Sequence, residues 1–359
     1  MHVVGAMGPA PDDVAAALSE VAAGATARDR AGAGFPEEAM RALERAGLLA
    51  ATVPAGEPPL PPAVEWDLVR RVARADGSVG RIFDGHLNAV ERVAALAPEP
   101  LRGEELAAVA AGELRLGVWG ADPAPGEGAP ARLVGAAGDH RLEGVKVFCS
   151  GAGGVAHAIV AVRGAALLPV LALVDLGRGV EIDRTWFGGS GMRTSESHRV
   201  VFHDAPVLAV LGEPGEITRE PWFSRDAIRT AACWAGIADA AAEAVLDTLA
   251  AGEPGELASA AAGRVLGAVA TIDRWLAAAG REAADPAVDL RATSVHLRAA
   301  VAEACRTITG VGGVAAGARA LSRGDDLDRC RRDLDLFLLQ HRLEPMVARL
   351  GRDELERRR

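Results

Sequence analysis

Eight histidines and four cysteines are the side chains here most capable of catalysis or metal binding, and their spacing excludes most of it. Cys149, Cys233, Cys305 and Cys330 form no Cys-x-x-Cys pair. That argues against zinc and against a disulfide framework, and the four read as buried reduced thiols. Imidazole is neutral near pH 7 and can accept a proton, so the histidines are candidates for acid–base work. His86, within Phe83-Asp84-Gly85-His86-Leu87, lies on a mostly apolar helical stretch. There a hydrogen-bonded core histidine and a substrate contact are both open. His341, near a helix end, alternatively complements the helix dipole, an interaction of roughly 0.3–1 kcal/mol. Arg229 either faces a ligand or pairs with Asp226 at i,i+3. Gly151-Ala152-Gly153-Gly154 leads into no helical pattern, so it is not a dinucleotide fingerprint.

The elements that must position these residues fall into three blocks. From Asp12 to about Ala111 the pattern is helical: Pro11-Asp12-Asp13 and Phe35-Pro36-Glu37-Glu38 open helices with acids at their positive ends. Ala39-Met40-Leu43-Ala46-Gly47-Leu48 gives an apolar stripe with a glycine stop. Longer helices are expected at about 63–75 and 78–96, beyond the Pro-rich loop 54–62. From about Leu114 to Leu211 the period shortens to two. Leu116–Trp119, Val145–Cys149, Ala158–Val162, Val170–Val174 and His198–Phe202 read as strands of an antiparallel domain. Helical periodicity then returns at roughly 224–250, 256–279, 290–309 and 327–350, which predicts a four-helix bundle. The expected division is 1–112, 113–217 and 218–359: an N-terminal α domain, a middle antiparallel β domain and a C-terminal four-helix bundle.

Composition agrees. Half of the residues are hydrophobic and a quarter charged, which suits a globular chain. Aromatics make up 4% with no tyrosine, so small aliphatic side chains must fill the core. The formal net charge of −10 argues against a nucleic-acid-tracking surface. No segment has the roughly 18–20 apolar residues of a membrane span. Met1-His2-Val3-Val4 lacks the features of a secretory leader, so a cytoplasmic location is expected.

The order helices, β domain, bundle resembles the acyl-CoA dehydrogenase superfamily, and local motifs point the same way. Val147-Phe148-Cys149-Ser150-Gly151 resembles the flavin-contacting strand, usually Trp-Ile-Thr/Ser-Asn-Gly. Gly191-Met192-Arg193-Thr194-Ser195 and the following Val200–Val207 are similar to Gly-Leu-Arg-x-Ser and its partner strand. Ala121-Asp122-Pro123 stands where the family has Thr-Glu-Pro, and Arg332-Asp333 matches an Arg-Asp pair. The resemblance spans nearly the whole chain. It implies a flavin-dependent oxidoreductase holding FAD, with FMN as the alternative, a small acyl-CoA-like or other organic substrate, and a homodimer or homotetramer. Trp119 and Phe148 would wall the isoalloxazine, with Cys149 beside them. Ser150 would offer its hydroxyl and backbone N–H towards N5. Gly312-Gly313 resembles a turn that grips the ADP half of FAD across subunits, but no Arg-x-x-Phe-Gly segment accompanies it. Without the resemblance, Phe148 and Trp119 are core aromatics.

The base position departs from the family. The usual glutamate, eight residues beyond the aspartate of the Arg-Asp pair, is His341 here, and the alternative site before Arg229 holds Ile228. Three readings follow. His341 is itself the base of a dehydrogenase; or reduced flavin reacts with oxygen through a C4a-hydroperoxide in a monooxygenase, with His86, Ser150 and His341 around it; or the chain is a non-catalytic scaffold. His86 and Arg229 would contact the substrate.

Overall fold

A computed structural model describes residues 10–359 except 33, 55–59, 137, 164–167, 254, 323 and 341. Among the described residues five helices come first: α1 (Pro11–Ala31), α2 (Glu37–Arg45), α3 (Pro62–Ala75), α4 (Gly77–Leu96) and α5 (Leu101–Ala110). Their ends follow local chemistry. Asp76 caps α4, its Oδ1 accepting from the N–H groups of Ser78 (2.9 Å) and Val79 (3.2 Å). Gly47 ends α2 in the left-handed region (φ 71°), which lets Leu48 N–H return to the Leu43 carbonyl at 2.9 Å.

Seven strands follow among the described residues: β1 (Leu116–Trp119), β2 (Arg132–Val134), β3 (Arg141–Cys149), β4 (His157–Arg163), β5 (Pro169–Asp175), β6 (Val180–Asp183) and β7 (His198–Leu211). The antiparallel expectation needs correction, because β4 runs parallel to both β1 and β2. Pairings β2–β3–β7–β5–β4–β2 close a ring of five strands, with β1 and β6 flanking it. Alternation along the strands separates inside from outside. Ala158, Val160, Val162, Ala172 and Val174 share one core with Trp119 and Phe202. The intervening Ile159, Ala161, Leu171 and Leu173 pack with Val90, Val93 and Val109 of α4 and α5.

The chain ends in α6 (Trp222–Ala250), α7 (Glu256–Glu282), α8 (Arg291–Leu321), α9 (Asp326–Phe337) and α10 (Glu344–Arg357). α6 is the central helix, packing on α3, α7, α8 and α9. The single helix expected over 327–350 is two helices, because Pro345 lacks an N–H and is tolerated only in a first turn, here that of α10. One apolar core runs through α1–α4 and α6–α9 together, so the first helices and the bundle bury each other. Helix gives way to strand between Ala110 and Leu116, and strand to helix between Leu211 and Trp222. Among the described residues no helix is long and apolar enough to cross a membrane.

Candidate active site

A cavity of about 460 Å³ opens where the strand ends meet α4 and α9. The β side contributes Val118, Gly120, Ala121, Phe148, Ser150, Phe187, Met192, Ser195 and Ser197; the helices contribute Arg81, Leu336 and Phe337, followed by Leu339 and Gln340. No described lining residue is acidic. A second depression, between α1, α3, α6 and α9, intersperses Arg71, Arg74, Glu243, Asp247, Asp326 and Arg329 with Leu18 and several alanines.

The end of β3 is built to face this cavity. Register with β7 breaks between Lys146 and Cys149, a bulge that re-aims the strand. Phe148 takes φ 52°, uncommon for a bulky residue, and its ring is 52% exposed. It meets Trp186 edge-on, with centroids 4.9 Å apart, and Trp186 Nε1 donates to Glu127 Oε1 at 3.1 Å. Lys146, buried beneath, donates to Asp122 Oδ1 (2.8 Å) and the Gly120 carbonyl (3.1 Å), fixing the 120–122 loop and engaging its carboxylate.

Ser150 joins a chain of hydroxyls: its Oγ lies 2.9 Å from Ser197 Oγ, which lies 2.7 Å from Ser195 Oγ. The Ser150 backbone N–H is already given to the Phe148 carbonyl (2.9 Å), so only the hydroxyl is free for a ligand. The Ser150 carbonyl accepts from Trp119 Nε1 at 3.0 Å. Trp119 therefore props the turn from within the barrel, against Phe202, and does not line the cavity. Cys149 points into the same core, where burial pushes its thiol well above the usual range and keeps it protonated.

The loop from Phe187 to Ser197 is pinned to α9. Met192 N–H donates to Asp333 Oδ1 (2.5 Å), and Arg332 Nη1 donates to the Ser190 carbonyl (2.5 Å) while its Nη2 pairs with Asp29 (2.6 Å). Gly191 lies so close to the Arg332 carbonyl that a side chain there would collide with it.

The other sequence candidates lie apart. His86 is fully buried on α4: Nδ1 accepts from Leu116 N–H (3.0 Å), so Nε2 carries the proton donated to the Leu49 carbonyl (2.9 Å). Both nitrogens are thus spent joining β1 to the loop after α2, away from the cavity lining. Burial, outweighing those bonds, lowers its pKa to about 4. With the folded pKa below the ordinary 6.5, stability is complete above 6.5 and falls as pH drops through about 4. Melting curves from pH 7 downward should show this loss in the wild type and a shallower one in His86→Gln; parallel curves would remove His86 as its source.

Arg229 is also fully buried, paired through Nε with Glu65, through Nη2 with Glu91 (2.9 Å), and loosely through Nη1 with Asp226 (3.4 Å). Burial opposes its charge, but Glu65, Glu91 and Asp226 outweigh it and hold the guanidinium protonated. Gly312 and Gly313 form no turn: they lie inside α8, where Gly312 lets Val245 of α6 approach. His341 falls outside the described residues, although Leu339 and Gln340 beside it line the cavity.

Sequence reasoning missed Arg81, Trp186, Ser197 and Phe337. Arg81 carried a signal, being one of two arginines, with Arg92, on a largely buried helix.

No family model matches the sequence, and no curated protein does. Solved structures do. FMN-bound TdsC from Paenibacillus sp. A11-2, a dibenzothiophene monooxygenase, superposes with a TM-score of 0.81 at 21% identity, over 96% of this chain and 97% of that one. Nitrososynthase from Micromonospora carbonacea var. africana gives 0.80 at 26% identity, over 95% and 94%. KijD3 in complex with FMN and a dTDP-linked amino keto sugar gives 0.81 at 24%, over 96% and 92%. The fold is that of the acyl-CoA dehydrogenase-like superfamily.

Proposed function

We propose that this chain is a flavin-dependent monooxygenase that uses reduced FMN. The observation carrying this reading is the cavity lining, which offers hydroxyls and apolar walls but no carboxylate among its described residues. Desaturating an acyl thioester needs a positioned base to take the α-proton, and a carboxylate is the usual one. Oxygen transfer needs a water-poor pocket with hydrogen-bond donors instead. The similar structure of TdsC, a dibenzothiophene monooxygenase solved with FMN, supports the same choice, and KijD3 too was solved with FMN.

The residues present fit a flavin. Phe148, held out of the barrel by its bulge, would lie against the ring system, and Ser150 Oγ would stand near its reactive edge. FMN is favoured over the FAD expected from the sequence, because Gly312-Gly313 is helical and no Arg-x-x-Phe-Gly segment is present to hold an ADP moiety. When bound and reduced, the cofactor supplies two electrons to dioxygen, one oxygen atom entering the substrate and the other leaving as water. The chain supplies the surroundings. Met192, Leu336 and Phe337 supply apolar wall against which water would be displaced by a bound ligand. The Ser195–Ser197–Ser150 chain holds the Ser150 hydroxyl where it can give or take a proton, and oriented donors of this kind act most strongly in a dry site.

The test begins with FMN and FAD titrations followed by flavin fluorescence, with the preparation's mass in solution measured alongside. FMN should bind saturably and more tightly than FAD. Homo-oligomers are expected, since Leu257 of α7 and Val314 of α8 are 88% and 85% exposed. Photoreduced FMN–protein is then mixed with oxygen. Reoxidation in two separated phases supports oxygenation. Reoxidation indistinguishable from free FMN, or anaerobic bleaching of bound flavin by acyl-CoA, sinks the proposal.

A further inference from the structure

Arg81 is the one charged side chain among the described residues that line the cavity. It projects from α4, and its Nη1 donates to Asp84 Oδ2 at 2.7 Å, less than one turn along the same helix. The guanidinium lies over the Phe337 ring, 6.0 Å from its centroid. Among the described residues no acceptor meets Nε or Nη2, and the side chain is 14% exposed. Asp84, fully buried, therefore clamps one corner of the fork. Arg81 lines the cavity, and its Nε–Nη2 edge, with two nearly parallel N–H donors, meets no partner among the described residues.

That geometry restricts what can fill the space. A guanidinium does not shed its proton, so its donors cannot be silenced by deprotonation. Seating an apolar group against the open edge would strip water from two charged donors and return nothing. Two oxygens of one oxyanion match the edge with parallel, charge-assisted hydrogen bonds. Arg81 and Asp84 together are formally neutral, so the direction of the open donors orients the anion while Asp84 moderates the attraction to it.

We propose that the cavity takes a substrate carrying an oxyanion, a carboxylate or its close equivalent, received by the Nε–Nη2 edge of Arg81. Its oxidisable atom is then turned towards Phe148 and Ser150. The anion site stands on Arg81 alone; which end of the substrate is oxidised rests on the flavin reading above. Arg81 is thus a specificity-determining residue.

Benzoate and benzamide, matched in shape and differing in charge, are suitable probes. Both are titrated into FMN-loaded protein, followed by flavin absorbance, and into flavin-free protein, followed by tryptophan fluorescence. Benzoate should bind about tenfold more tightly than benzamide. Arg81→Met should abolish the preference and Arg81→Lys should keep part of it, because an ammonium retains charge but not the fork. Asp84→Asn supplies an independent arm should Arg81→Met fail to fold: removing the offsetting charge should tighten benzoate and leave benzamide unmoved. Equal binding of the two probes by the wild type overturns the proposal, as does a preference surviving Arg81→Met or a benzoate affinity untouched in Asp84→Asn. Loss of FMN binding with the benzoate preference intact would overturn the flavin reading and leave the anion site standing.

Discussion

Replacing Arg229 with alanine should lower the stability of the fold by about 3–5 kcal/mol, a large part of the roughly 5–15 kcal/mol that holds a domain together. The reason is what remains behind. Glu65 has a side chain 2% exposed and Glu91 one 13% exposed, and neither can recover the hydration it gave up on folding. Arg225 stays within 3.5 Å of Glu65 and 3.0 Å of Glu91, but its single guanidinium would then face both the buried Glu65 and the partly buried Glu91. Urea unfolding should show a lower midpoint with an unchanged slope. Adding Glu65→Ala to the variant should cost less than the sum of the single changes, since the two share one network. A loss below about 1 kcal/mol, the size of an exposed ion pair, would mean that Arg225 replaces Arg229 and that the network is redundant.

The second large effect belongs to Gly191. Its alanine variant places a methyl on the Arg332 carbonyl, a backbone atom that cannot rotate away. Either α9 or the loop from Phe187 to Ser197 must retreat, at a cost of about 1–3 kcal/mol and occasionally more. Retreat also stretches the Met192–Asp333 hydrogen bond, so Met192 and Leu336 part across the cavity. The expected result is lower thermal stability together with at least tenfold weaker FMN binding. Weaker stability with unchanged FMN affinity would show that the cofactor does not depend on this wall.

How much of this was legible in the chain depends on the physical range of each signal. Alternation found β1, β3, β4, β5 and β7, because Val, Ile and Leu on those strands are divided between two apolar cores. It missed β2 and β6, short strands carrying Arg132, Glu181 and Asp183, whose pairing comes from longer neighbours. Pro345 was a local signal for the break before α10 and was overrun by the apolar periodicity around it. Ser150 and Phe148 were singled out by the resemblance of Val147–Gly151 to a flavin-contacting strand, and both line the cavity. Trp119 was paired with Phe148 as a flavin wall, whereas its ring lies in the barrel core and its Nε1 donates to the Ser150 carbonyl, since a sequence does not show which face of a closing barrel is inside. The i,i+3 contact of Arg229 with Asp226 was local and is present, yet its principal partner, Glu65, lies 164 residues away. Arg81 illustrates the same limit from the other side: the cation is visible in the sequence, whereas the cavity it enters is made by α9 and the β3 turn.

The interruption between α9 and α10 has an evolutionary meaning. An inserted residue within a helix turns everything after it by roughly 100° and scrambles its packing. Leu339 and Gln340 stand outside both helices, so that stretch of the cavity rim can lengthen, shorten or change composition without twisting the core. Variation in substrate choice among descendants of this chain is expected to collect there, while the serine chain and the Arg332-Asp333 anchor stay fixed. The gap is a place where the molecule can acquire new specificities at little risk to its folding.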